Sequence, residues 1–149
     1  MATLATQNKI SVVGSALEKR GLEVTNSSAF FAPNGRLMGV YRKVHLFRLM
    51  EEDRWLQPGE APLIMDLPWG TTGMAICYDL RFPELFRALR DKGAEVIVLP
   101  AAFTLLTGKD HWEVLLRARA IETQCWIAAS AQVFAHAGGT KACYGHSMV

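Results

Sequence analysis

Charge of one sign, paired cysteines and long apolar runs are all scarce in this sequence, and each scarcity removes a class of function. Sixteen Lys and Arg against fourteen Asp and Glu leave a net charge of +2 over 149 residues. That is too little to argue for nucleic acid or an anionic membrane as partner. No apolar run approaches the ~18 residues of a membrane span. The three cysteines, Cys77, Cys125 and Cys143, are widely spaced and odd in number. They offer neither metal-ligand spacing nor a disulfide framework, and without a Cys-x-x-Cys a thiol redox protein is a weak reading. The first seven residues lack a basic region followed by an apolar core, so no secretory signal is predicted and a reducing cytoplasm is the expected compartment. Internal repeats, low-complexity segments and dividing linkers are also missing.

What is present is globular: 50% hydrophobic and 20% charged residues, enough for one domain that buries roughly two-thirds of its unfolded surface. The organising stretch is Gly73-Met74-Ala75-Ile76-Cys77-Tyr78-Asp79-Leu80-Arg81-Phe82-Pro83-Glu84-Leu85. An apolar run ends in Cys77. Pro83 then suits the first turn of a helix, where its missing N–H costs nothing. Cys77 is therefore read at the exit of a buried strand, just before a helix. Helix N-terminal N–H groups there favour a thiolate, and the turn leaves the next N–H free for an oxyanion. The competing reading is a buried cysteine that only fills space.

Residues 9–13 read as a strand ended by Gly14, and residues 16–21 as a short turn or helix end. Residues 29–31 and 36–43 form two strands about Pro33-Asn34-Gly35, whose Asn and Gly accept positive φ. Lys43 reads as a solvated edge lysine and His45 as a satisfied core histidine. Residues 48–68 are loop-like, with Leu63-Ile64-Met65 as a short strand. Residues 74–76, a helix over 83–92 stopped by Gly93, and residues 95–99 make a strand–helix–strand unit suited to a parallel sheet. A loop over 104–110 leads to a helix over 111–124, a strand over 125–131 and a glycine-containing loop over 135–141. Arg117 and Arg119 suit either solvent or acidic partners.

Several segments together resemble the carbon–nitrogen hydrolase, or nitrilase, superfamily, in its Nit-type amidase branch. Tyr41-Arg42-Lys43-Val44-His45-Leu46-Phe47 is similar to the family's lysine motif, and residues 73–84 to its cysteine motif. Trp112-Glu113 through Glu122 resembles the helix that follows, and Tyr144-Gly145-His146-Ser147 the start of a late strand. The likeness runs from about Ile10 with the motifs in family order. It implies an α/β fold, part of a four-layer α-β-β-α sandwich, with residues 1–149 as a single partial domain. It also implies homo-oligomers that pair across the helices at 83–92 and 111–124.

By motif, Lys43 and Cys77 carry over as catalytic residues. Counting back from Pro58-Gly59 favours Glu52 as an assisting glutamate, with Glu51 as the alternative. The family's general-base glutamate, usually in a Pro-Glu motif upstream, has no match; neither Glu18 nor Glu23 has its surroundings. The resemblance implies a small linear amide as substrate and needs no metal or organic cofactor. Cys77 as thiolate attacks the carbonyl, and Lys43 and the Tyr78 N–H stabilise the oxyanion. Ammonia leaves a thioester behind, which water hydrolyses. The Phe103 region is expected to touch substrate. Candidates are ω-amides of dicarboxylic acids and deaminated glutathione-like amides, with nitriles less favoured. The other function class is a non-catalytic fragment that acts only by association.

Overall fold

Two sheets arise from two kinds of sequence. The first is polar enough to be solvated on one side and is wholly antiparallel: β1 (Val12–Arg20), β2 (Glu23–Phe31) and β3 (Leu37–Arg42), in that order. The second holds β4 (Ile64–Leu67), β5 (Gly70–Met74), β6 (Val96–Ala101) and β7 (Trp126–Ala131); β4 runs antiparallel to β5, and β5, β6 and β7 are parallel. The computed structural model describes residues 1–135 and 142–149, so the expected glycine loop lies, beyond residue 135, outside the described residues.

The hairpin about Pro33-Asn34-Gly35 forms as expected. Gly35 has φ +80, and the Ala32 N–H donates to the Arg36 carbonyl at 2.9 Å. The start of the chain differs from expectation. A helix, α1 (Ala2–Asn8), precedes β1, and Lys9 caps it in the left-handed region. Gly14 does not end the strand, and the stretch read as a turn is strand. Ala16 pairs with Ser27 and Arg20 with Glu23, across a two-residue turn where Gly21 has φ +62. Cross-strand pairing overrides the helical preference of Ala16 to Lys19.

The strand–helix–strand unit is present. Helix α3 (Pro83–Asp91) joins β5 to β6 and buries Leu85, Phe86 and Leu89. Leu89 lies so close over Gly73 that a Cβ there would come within 3.0 Å of it. Helix α4 (Leu105–Thr123) joins β6 to β7 and starts six residues before the expected 111, absorbing most of the predicted loop. Gly108 obscured this: it costs helix propensity, but its bare backbone is where the Tyr144 ring packs. The long loop over 48–68 is also more ordered than read. It contains a 3-10 turn (Arg48–Met50) and the short helix α2 (Glu52–Trp55), and the short strand expected at residues 63–65 is β4, displaced slightly along the chain. Residues 144–147 form no regular strand; next to them Met148 makes an isolated bridge with Ala129.

The sheets face each other. Gly39 of β3 meets Met65 of β4, and Phe30 and Trp69 bring their rings to 6.1 Å. Phe30 and Tyr41 from one sheet share a core with Met74 and Leu99 from the other, with Ile76 just past β5, and with Trp112 and Leu116 of α4. Two facing sheets with helices outside them are the sandwich layering that the sequence implied. Among the described residues no helix is long and apolar enough to cross a membrane.

Candidate active site

Lys43 leaves the end of β3 at a crossing of backbones. Its N–H donates to the Asn26 carbonyl and its own carbonyl accepts the Gly59 N–H, each at 2.8 Å. A Cβ at Gly59 would collide with the Arg42 carbonyl, so only glycine lets these segments meet. The consequence contradicts the edge-lysine reading: Lys43 is 2% exposed. A buried ammonium needs a partner, and Glu52 supplies it, with Nζ to Oε2 at 2.5 Å. Glu52 Oε2 also accepts the Phe47 N–H at 2.6 Å, and Oε1 accepts from Asn26 Nδ2 at 2.9 Å. Burial alone would raise this carboxyl, but the Lys43 and Phe47 donors, the Lys43 charge and Asn26 together hold it below the ordinary glutamate value. Glu51 is turned outward onto Arg54 at 2.7 Å. Of the two glutamates, Glu52 is the one brought to Lys43.

Cys77 stands where the strand-exit reading put it, with one difference. A 3-10 turn (Cys77–Arg81) intervenes before α3, and Cys77 itself is left-handed at φ +46. A non-glycine residue in that region costs about 1–3 kcal/mol and persists only where neighbours hold it. The first intrahelical bond of the turn is Asp79 N–H to the Ile76 carbonyl at 3.0 Å, which leaves the Tyr78 N–H without an acceptor inside the turn.

Cys77, Lys43, Glu52, Phe47 and Ala102 line one cavity of about 350 Å³. Opposing influences act on the Cys77 thiol. Burial pushes the Cys77 thiol up, the Lys43 charge and a backbone hydrogen bond from Ala102 pull it down, and the charges of Glu52 and Asp79 add to the rise; the balance is upward. The α3 N-terminus, one 3-10 turn away, is too far along the chain to reverse this.

A second, very small cleft of about 10 Å³ at Cys77 is also lined by Phe47, Tyr78, Arg81, Phe103, Thr104 and Thr107. Phe103 is 4% exposed and tilts against Trp112, ring centres 5.1 Å apart. Arg81, not singled out in the sequence, places its guanidinium 5.2 Å from the Phe103 ring and 5.9 Å from the Tyr78 ring. Its Nη atoms lie 3.3 Å from His111 Nδ1, and it makes no ion pair among the described residues.

One residue not singled out in the sequence, Asp79, and one left between solvent and an acidic partner, Arg119, complete the surroundings. Asp79, fully buried, accepts from Tyr41 Oη at 2.8 Å, the Ile76 N–H at 2.9 Å and the His45 N–H at 3.0 Å, and shares a 2.8 Å hydrogen bond with His45 Nδ1. His45 is half-buried and stacks on Phe82 with ring centres 3.7 Å apart, a satisfied histidine as expected. Arg119 is buried and donates from Nε to the Leu80 carbonyl at 3.1 Å and from Nη1 to Glu122 at 3.0 Å, tying the cysteine turn to α4. Arg117 remains on the surface, paired with Glu113. Cys125 and Cys143 are buried, and no thiol is paired in a disulfide. Among the described residues no three His, Cys, Asp or Glu side chains converge as a metal ion would require.

Known proteins share this fold. The deaminated glutathione amidase of Yersinia enterocolitica is 52% identical over 134 residues, which cover 84% of this chain and 46% of that protein. The crystal structure of Saccharomyces cerevisiae Nit3, a member of branch 10 of the nitrilase superfamily, superposes with a TM-score of 0.89 at 35% identity, over 99% of this chain and 54% of that one. A mutant amidase of the nitrilase superfamily from Nesterenkonia sp. AN1, with the acetamide moiety of fluoroacetamide covalently added at its active-site cysteine, superposes with a TM-score of 0.89 at 26% identity, over 98% of this chain and 55% of that one. The chain thus spans about half the length of the relatives it matches. The carbon–nitrogen hydrolase profile matches residues 1–149 from end to end, and the chain belongs to that family.

Proposed function

We propose that this polypeptide carries the nucleophile side of an amidase site, with Cys77 as nucleophile and Lys43 as the cation beside it. The observation that supports this most is the sharing of one cavity by Lys43 and Cys77, which are far apart in sequence. A base must first take the Cys77 proton; the thiolate then attacks the amide carbonyl carbon. The Lys43 ammonium and the Tyr78 N–H receive the oxyanion, an effect worth about 3–4 kcal/mol for a good donor. Collapse breaks the C–N bond as the nitrogen takes up a proton, and ammonia leaves. Water then opens the thioester to give the carboxylate. Glu52, committed to three donors and held ionised, suits orienting Lys43 better than accepting a thiol proton. The general-base glutamate that the family resemblance implies has no match in these residues, so the chain alone is expected to be slow or inert. The chemistry draws on no cofactor.

The substrate we favour is a small amide that also bears a carboxylate. Arg81, which makes no ion pair among the described residues and is set between Tyr78 and Phe103 beside Cys77, supports this, and so does the amide named for the Yersinia relative. Cys77, Cys125 and Cys143 form no disulfide, which fits a reducing, cytoplasmic setting. The exposed Val114 and Ile121, seven residues apart on α4, fit pairing of two copies.

The test is ammonia release from a panel of small amides by the chain joined to the flanking polypeptide its relatives carry. Turnover is expected with dicarboxylic monoamides and should fall about 10³-fold or more in Cys77→Ala. Turnover that survives that substitution would sink the reading. A second reading, a non-catalytic chain that acts by association, draws on the commitment of Glu52; it gains ground if the extended protein also fails to turn over.

A further inference from the structure

The carboxylate of Asp79 is sealed from solvent, lies outside the cavity, and is not used by the mechanism above. It nonetheless touches both motif segments. From the lysine segment it receives the Tyr41 hydroxyl, the His45 N–H and the His45 ring nitrogen. From the cysteine segment it receives the Ile76 N–H, while its own N–H returns to the Ile76 carbonyl. Lys43 lies midway between Tyr41 and His45, and Ile76 immediately precedes Cys77. The Tyr41 oxygen also accepts the Val44 N–H at 3.3 Å, so the residue after Lys43 joins the same knot.

We propose that Asp79 is a positioning residue: one buried carboxylate holds the lysine segment and the left-handed cysteine turn in register, so that the Lys43 ammonium faces the Cys77 sulfur. The inference rests on Cys77 being the nucleophile. Three features carry it. The strain at Cys77 needs an anchor on an adjacent residue, and the Asp79–Ile76 pair is that anchor. A sealed carboxylate costs several kcal/mol unless it is fully hydrogen-bonded, and here every partner belongs to one of the two segments it joins. The Tyr41 phenol stays a permanent donor, because burial, reinforced by the Asp79 charge, raises it well above the ordinary tyrosine value. The charges acting on the Cys77 sulfur are those of Lys43, Glu52 and Asp79 itself. Asp79→Asn therefore also removes a charge that opposes the thiolate. A purely electrostatic Asp79 would make this variant more reactive; a positioning Asp79 makes it less so.

The test is iodoacetamide labelling of the intact chain across pH, read by mass spectrometry of the Cys77 peptide. In the unaltered protein, Lys43→Met is expected to slow Cys77 labelling near neutral pH about tenfold, equivalent to one unit of thiol titration, and to move the profile to higher pH. In an Asp79→Asn background the same substitution is expected to change labelling by less than about twofold, since the coupling it reports is already lost. Tyr41→Phe keeps the charge and removes one donor; it should leave an intermediate Lys43→Met effect, and it supplies the comparison if Asp79→Asn does not fold. An undiminished Lys43→Met effect in Tyr41→Phe and in any foldable Asp79→Asn protein, or faster labelling in Asp79→Asn, overturns the inference. Labelling of Cys77 no faster than Cys125 and Cys143 in the unaltered protein overturns the nucleophile assignment instead.

Discussion

Glu52 and Asp79 both bring carboxylates to the same short lysine segment, in opposite surroundings. Glu52 keeps 17% of its side chain in solvent, borders the cavity and meets a cation. Asp79 has none of its side chain in solvent and meets neutral donors, with a histidine as its one titratable ion-pair partner. A charge at a cavity mouth can exchange partners with water or substrate; a sealed one cannot, and removing its acceptors leaves buried donors that nothing else satisfies. The difference separates a group that tunes Lys43 from a group that keeps Lys43 and Cys77 in place.

Asp79→Ala is the harshest way to probe this contrast. It strands the Tyr41 hydroxyl and the Ile76 and His45 N–H groups, and releases the Cys77 turn. A loss of about 3 kcal/mol or more is expected, seen as a lower urea midpoint. A loss no larger than that of Glu52→Gln would erase the distinction between the two sites. Glu52→Gln should cost about 1–2 kcal/mol at neutral pH, because Lys43 loses its ion pair but retains an oxygen acceptor and a route to water. Its pH signature sharpens the comparison. The folded carboxyl lies below its ordinary 4.5, so the folded protein binds fewer protons there than the unfolded chain. Its contribution is present above about pH 4.5 and fades as pH falls through the depressed folded value. The acid-side slope of stability should therefore flatten in Glu52→Gln.

Arg81→Leu should have the smallest effect on stability, within about 0.5 kcal/mol, since the side chain makes no ion pair among the described residues. In the extended, active protein it should instead raise KM for a carboxylate-bearing amide about tenfold and leave a neutral amide unaffected, as loss of a charge-assisted contact predicts. Equal effects on both amides would remove the case for an acidic substrate.

Local signals made much of this legible. Asn34-Gly35 marked a hairpin, Pro83 and Gly93 bracketed a helix, and the β-branched run over 95–99 marked a buried strand; all three are present. The motif order brought Lys43 and Cys77 forward together. What the sequence hid depends on partners distant in the chain. Ala16 to Lys19 became strand because Ser27 to Val24 lie opposite. Lys43 passed for an edge lysine because only the crossing of Gly59 over Arg42 encloses it. Asp79 stood in plain view inside the cysteine motif, yet its purpose is visible only once Tyr41 and His45 lie across from it. The burial that raises the Cys77 thiol is likewise a property of the fold, whereas proximity to a helix start can be read from spacing.

The most direct measurement is acylation of this chain by an activated ester such as p-nitrophenyl acetate, followed by mass spectrometry of each cysteine peptide. The expected result is a single acyl group on Cys77, forming faster as pH rises and about tenfold more slowly in Lys43→Met. Acyl groups spread evenly over Cys77, Cys125 and Cys143, or a rate indifferent to Lys43, would contradict it.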